Sequence, residues 1–219
     1  MKLQDVRRDV KNAGLLGAGW NLAYRALNKV TRFMALTMLS VTPETVDASF
    51  LNGRPEHQHR FLSASELGHL SRDPANEMPA VFVAEALARG DRCYAILHGG
   101  VVASYGWYSR QETAVTSELS LRFSPQWAYM YKGFTRPEYR GQRLHAIGMA
   151  QAMMEHSREG CHGLVSYVES NNYNSLKSCY RMGYVKAGTI VALRVGGRYL
   201  IRVGGGCAPF GLGLRSVRT

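Results

Sequence analysis

Apolar and polar positions along this chain change period several times, and each change predicts an element. Phe33 to Val41 is apolar at most positions and of strand length, so it predicts a first strand. Ser63 to Leu70 and Pro79 to Ala88 predict helices. Arg92 to Leu97, Val101 to Tyr108 and Thr113 to Phe123 predict successive strands, with His98-Gly99-Gly100 as a hairpin turn. Trp127 to Thr135 carries Trp127, Tyr129, Tyr131 and Phe134, the aromatic character of a half-buried strand. From Leu144 the period lengthens: Ala146, Met149, Ala150 and Met153 share one helical face, and the helix is expected to begin near Gln142. Leu164 to Val168 reads as a buried strand. Asn172-Tyr173-Asn174-Ser175 then opens a helix that passes through Leu176 and Tyr180 and stops at Gly183. Tyr184-Val185 resumes strand character, and Thr189 to Val195 with Arg198 to Val203 makes a hairpin across Gly196-Gly197.

The run Pro137-Glu138-Tyr139-Arg140-Gly141-Gln142-Arg143-Leu144-His145 joins the aromatic strand to the long helix. Pro137 cannot donate to a ladder, so pairing should end there. The first helical turn has N–H groups with no intrahelical acceptor, at the positive end of the helix dipole, and these favour phosphate or pyrophosphate. Gly141 lets the backbone approach a ligand, and Arg140 and Arg143 add charge.

Taken with Asn172-Tyr173-Asn174-Ser175 and Gly183-Tyr184 in this order, the run resembles the cofactor signature of the GNAT (Gcn5-related N-acetyltransferase) superfamily. That signature is a strand, Arg/Gln-x-x-Gly-x-Gly/Ala and a helix, then a strand, Asn-x-x-Ser/Ala, a short helix and Gly-Phe/Tyr. The resemblance covers roughly residues 80 to 195. It implies an α+β fold (α/β mixed): a central mixed, mostly antiparallel, splayed sheet flanked by helices, here with an extra N-terminal helix. Two departures fall at functional positions. Arg143 and His145 replace the second and third glycines, and the family's leaving-group tyrosine falls in register on Cys179, one residue before Tyr180.

The resemblance further implies an acyl-CoA-dependent N-acyltransferase, with acetyl-CoA or another acyl-CoA as co-substrate and an amine as acceptor. Cofactor contacts carried over are Phe134 and Thr135 beside the pantetheine arm, Arg140, Gly141, Gln142, Arg143, Leu144 and His145 at the pyrophosphate, and Asn172 and Ser175 at the second helix. Candidates for proton transfer are Glu118, Glu169 and Tyr180. A carboxylate on an exposed face is more often solvated than catalytic, and His145 at a helix N-terminus reads first as a phosphate contact or a plain surface residue. Two alternatives are kept: acyl carrier protein as donor, and a catalytically inactive member that binds acyl-CoA or a membrane.

At 219 residues and 46% hydrophobic the chain suits one domain with a sizeable core. The expected organisation is a basic helical extension over 1–31, an acyltransferase domain over 32–203, and a glycine-rich basic tail over 204–219, loose or docked. Net charge is +11, concentrated at the ends: residues 1–32 hold seven Lys/Arg against two acids, and residues 170–219 hold eight against none. Such ends attract anionic lipid, an acidic protein or nucleic acid alike, and no recognition motif favours nucleic acid. Gly17 to Val30 predicts an amphipathic helix with Leu22, Ala26 and Val30 on one side. It is expected to pack on the domain, with peripheral contact to anionic membrane as the alternative. No stretch is long enough to span a bilayer, and the first sixteen residues do not read as a signal peptide. Cys93, Cys161, Cys179 and Cys207 are scattered, as free thiols in a reducing cytoplasm would be. The expected location is therefore cytoplasmic, with peripheral attachment at the inner membrane face as the variant. His57-x-His59 lacks supporting ligands, so no metal site is expected.

Overall fold

The structure is a computed structural model that describes residues 3–217, with side chains described at Val10 and from Gly14 onward. Its elements follow the periodicity closely. Helix α1 (Leu3–Val30) is broken at Gly14, whose φ of 69° is not helical. After it come β1 (Phe33–Val41), β2 (Gln58–Phe61), α2 (Ala64–Leu70), α3 (Ala80–Ala88), β3 (Arg92–His98) and β4 (Val101–Ser109). The chain continues through β5 (Thr113–Ala114), β6 (Leu119–Arg122), β7 (Trp127–Thr135), α4 (Leu144–Arg158), β8 (Gly163–Glu169) and α5 (Tyr173–Arg181). It ends with β9 (Val185–Val195), β10 (Arg198–Val203) and β11 (Gly213–Ser216). Start signals act as their chemistry requires: Ser63 and Glu66 form a reciprocal capping box on α2, and Asn172 Oδ1 accepts from Ser175 N–H to cap α5.

Eight strands form one sheet in the order β10-β9-β1-β8-β7-β4-β3-β2, antiparallel except where β7 and β8 run side by side. That parallel contact is short: Trp127, Ala128 and Tyr129 face Gly163, Leu164 and Val165, and beyond them the strands separate. One face of the sheet carries α4 and α5 over a core that includes Leu39, Ala128, Met130, Leu144, Ile147 and Leu164. The other face is covered at one end by the three-stranded sheet β11-β6-β5 and at the other by α2 and α3. Because β7 and β8 are parallel neighbours, the turns that lead into α4 and α5 leave the sheet at the same end.

Three expectations are corrected. Thr113 to Phe123 is two strands, since Thr116 Oγ1 accepts from the N–H groups of Glu118 and Leu119 and folds the segment into a tight turn. Helix α4 begins at Leu144 rather than near Gln142, because Arg143 holds a left-handed φ of 62°. The buried face of α1 is Gly17, Asn21 and Tyr24 with half-buried Trp20, whereas Leu22, Ala26 and Val30 are exposed. Trp20 Nε1 donates to Ser170 Oγ at 3.1 Å, and the Tyr24 hydroxyl meets Ala35 N–H at 3.4 Å. Large rings with polar tips bury more area and satisfy more polar groups than three aliphatic side chains would. Of the two alternatives kept for the glycine-rich C-terminal segment, loose or docked, the structure has the second: Cys207, Leu212 and Leu214 are buried and β11 pairs with β6.

Candidate active site

The turn between β7 and α4 is built from two left-handed residues. Gly141 has φ 81° and Arg143 φ 62°, with extended Arg140 before them. The N–H groups of Gly141 through Ala146 find no protein acceptor among the described residues, and no side chain caps the helix. Consecutive free N–H groups at the positive end of a fifteen-residue helix form an anion cradle. Leu144 contributes through its main chain, because its side chain is 1% exposed and locked in the core. Arg143 is exposed beside the cradle, while Arg140 folds back and donates from Nε to the carbonyl of Thr135 at 3.3 Å.

Next to this cradle lies the gap between β7 and β8. The bond from Arg136 N–H to Ala103 O, at 3.0 Å, sets the alternation along β7. Phe134 turns its main-chain groups toward β4, and its carbonyl also accepts from Ser104 Oγ at 2.8 Å. Its ring is stacked on Tyr105 in the core. Main-chain groups of Gly133 and Thr135 therefore face the gap, and of the two carried-over strand residues only Thr135 has the orientation to pair with an extended arm. Gly133 was missed from the sequence. The available signal was a glycine inside a strand, which marks close approach by another group.

That group is His145. A Cβ built on Gly133 would stand 2.5 Å from His145 Cε1, 2.9 Å from Nδ1 and 3.0 Å from Met130 Cε. The imidazole is thus packed between α4 and β7 at the base of the gap, and desolvation lowers its pKa below the ordinary histidine value. Beside it opens a cavity of about 370 Å3 bordered by Arg143, His145, Ser178, Arg181 and Asp47. Cradle, gap and cavity adjoin one another, and Asn172, with Ser175, closes the same end of the sheet at the start of α5.

The three proton-transfer candidates are not brought together. Glu118 sits in the turn before β6, where its carboxylate accepts from Tyr199 Oη at 2.8 Å and pairs with Arg32 at 2.5 Å and Arg194 at 3.2 Å. Hydrogen bonding from Tyr199, then from Arg32, lowers its pKa. Tyr180 is 46% exposed on α5, whereas Cys179 packs against the core and burial pushes its thiol up to about 11. Glu169 ends β8, exposed at the mouth of the gap, and it alone of the three borders the separated strands. Among the described residues no cluster of three or more His, Cys, Asp or Glu side chains is placed to hold a metal ion, and no helix is long and apolar enough to cross a membrane. All four cysteines are free.

A splayed mixed sheet with an anion cradle at its parting strands is the architecture shared by acetyltransferases that use acetyl-CoA as co-substrate. The chain belongs to the GNAT acetyltransferase family, whose model matches residues 58–184. Two solved structures are similar in fold. A GCN5-related N-acetyltransferase-like protein from Streptococcus suis has a TM-score of 0.50 at 16% identity, over 84% of this chain and 68% of that one. An acetyltransferase of the GNAT family from Colwellia psychrerythraea has a TM-score of 0.51 at 14% identity, over 78% of this chain and 60% of that one. No curated protein matches the sequence.

Proposed function

We propose that the chain transfers an acetyl group from acetyl-CoA to the amine of a small molecule by direct attack. The observation that carries this reading is the run of unpartnered N–H groups from Gly141 to Ala146, set at the mouth of a strand gap. In this reading the cradle holds the pyrophosphate and Thr135 pairs with the pantetheine arm. The gap-facing N–H groups of Gly133 and Thr135 are placed to stabilise negative charge growing on the thioester carbonyl oxygen, an effect commonly worth ~3 kcal/mol per donor. Asn172 holds the far wall as helix cap and arm contact, with Ser175 as its partner. The acceptor must lose a proton before it attacks, and Glu169 is the carboxylate beside the gap.

Arg143 and Arg181 around the 370 Å3 cavity favour coenzyme A over a carrier-bound arm, because that arm carries a single phosphate while the nucleotide half of coenzyme A brings further anionic groups. Peripheral attachment to anionic membrane is supported by Leu15 and Leu16, 80% and 93% exposed beside the basic sequence of the first 32 residues. Liposome sedimentation tests that contact, with equal recovery on neutral and anionic vesicles counting against it. For the transfer itself the test is thermal shift with acetyl-CoA, desulfo-acetyl-CoA and acetyl-phosphopantetheine. Binding raises the melting temperature in proportion to RT ln(1 + [L]/Kd). Stabilisation by the two nucleotide-bearing ligands is expected, and no shift with either would overturn the reading.

A further inference from the structure

A second cavity, of about 500 Å3, lies on the opposite face of the sheet from α4, between the end of α1, the start of β1, the end of β8 and the Val115–Thr116 turn. Its size falls within the ~300–1,000 Å3 of small-molecule sites. Much of its lining is apolar or aromatic: Tyr24, Phe33, Met34, Val115, Tyr167 and Tyr199. Tyr167 is two residues past Val165, the last residue of β8 that pairs with β7, so the cavity reaches the rim of the strand gap. Glu169, two residues further, stands at its edge, where its carboxylate is a hydrogen-bond partner of the Tyr24 hydroxyl. Arg25 and Arg32 border the opposite side, where Arg32 is held by Glu118, which also accepts from the Tyr199 hydroxyl.

We infer that this cavity receives the acceptor, and that the acceptor is a primary amine on an apolar, ring-sized body. The inference rests on the transfer reading above. Aromatic walls take the body, and the Glu169 carboxylate takes the ammonium group at the gap. Glu169 then accepts one ammonium proton. The freed nitrogen forms a bond to the thioester carbonyl carbon, the carbon–sulfur bond breaks, and the second proton leaves the nitrogen for the departing thiolate. The products are an acetamide and free coenzyme A, and Glu169 returns its proton to water.

Helix α1 has a direct part in this. Trp20, Tyr24 and Phe33 form an edge-to-face cluster with centroids 5.2 to 6.2 Å apart, which presses the helix onto the wall of the cavity. Trp20 also donates to Ser170, immediately after Glu169. The helix that precedes the first strand thereby completes the pocket.

Acetylation of benzylamine and cyclohexylmethylamine is to be compared with that of ethanolamine and glucosamine at saturating acetyl-CoA, with product read by mass spectrometry. The expected result is kcat/KM at least tenfold higher for the two ring amines. Val115→Trp, which fills the cavity, should raise the KM for benzylamine at least tenfold while leaving the acetyl-CoA thermal shift in place. Glu169→Gln should lower kcat/KM and move the alkaline-rising limb of the pH profile upward. As a check that needs no variant, benzylamine should raise the melting temperature of the wild-type complex with coenzyme A more than ethanolamine does. Equal use of all four amines, or an unchanged KM in Val115→Trp, overturns the pocket assignment. Absence of any acetyl-CoA binding overturns the transfer reading instead.

Discussion

The imidazole of His145 occupies the space that a side chain on Gly133 would need, 2.5 Å from the position of its absent Cβ. Helix and strand have exchanged bulk here: the helix carries a ring where its family signature has a small residue, and the strand has given up its side chain. Gly133→Ala is expected to destabilise the fold by about 1–3 kcal/mol through overpacking. His145→Ala should remove most of that penalty, so a double-mutant cycle in urea should return a coupling energy of at least ~1 kcal/mol. Additive effects would show that the two positions do not share the space.

Arg143 is one of two residues other than glycine with positive φ among those described, the other being Glu77. A left-handed backbone costs an L residue roughly 1–2 kcal/mol, part of which is recovered when glycine replaces it. Arg143→Gly is therefore expected to stabilise the free protein by about 0.5 kcal/mol. The same change removes a cation beside the cradle, so acetyl-CoA affinity should fall and its salt dependence should flatten. Unfolding curves and a titration at two salt concentrations check both halves, and a variant that is less stable than the parent would count against strain at this turn.

Much of this site was legible in the sequence, and what was missed has physical causes. Strand β7 and strand β10 match their expected limits, because aromatic runs bounded by turn residues have one reasonable reading. The Asn172 cap and the left-handed stop at Gly183 are local chemistry, and they lie where the side chains dictate. Packing partners are a different matter. Nothing in the spacing of Leu22, Ala26 and Val30 shows that Trp20 and Tyr24 have hydrogen-bond partners at Ser170 and Ala35 that turn α1 over. Glu118 looked like a strand carboxylate near the cofactor, yet Thr116 folds that segment into a turn and Arg32, Arg194 and Tyr199 occupy it. The Thr116 turn is local, but Ser170 for α1 and Arg32, Arg194 and Tyr199 for Glu118 are partners far off in sequence, which periodicity cannot pair.

That placement separates the acid–base candidates experimentally. Glu118→Gln is expected to leave the acetyl-CoA thermal shift in place and kcat within about threefold of the parent, with any effect confined to the KM for the acceptor, since the group is engaged by two arginines and a tyrosine away from the cradle. A modest fall in melting temperature should accompany it. Tyr180→Phe should likewise keep turnover within about twofold, because Tyr180 points to solvent and the neighbouring Cys179 faces the core. A loss of more than tenfold in either variant would restore that residue to the reaction.

His156 is 1% exposed, with neither ring nitrogen hydrogen-bonded among the described residues, and it packs against Phe61 and Tyr108. Burial, aided by the charge of Arg92, lowers its pKa to about 4, with Glu159 opposing. The folded state thus binds this proton less readily than the unfolded chain, whose histidine titrates near ~6.5. Stability from the neutral ring is present above the unfolded value and is lost as pH falls from there toward 4. For one such group the loss between pH 7 and pH 5 is about 2 kcal/mol. Urea midpoints at the two pH values should show a difference of this order, and His156→Phe should reduce it, because a ring that cannot titrate has no proton to gain on unfolding. If the two proteins lose stability equally over that interval, acid sensitivity resides in other groups and the buried ring is a passive part of the core.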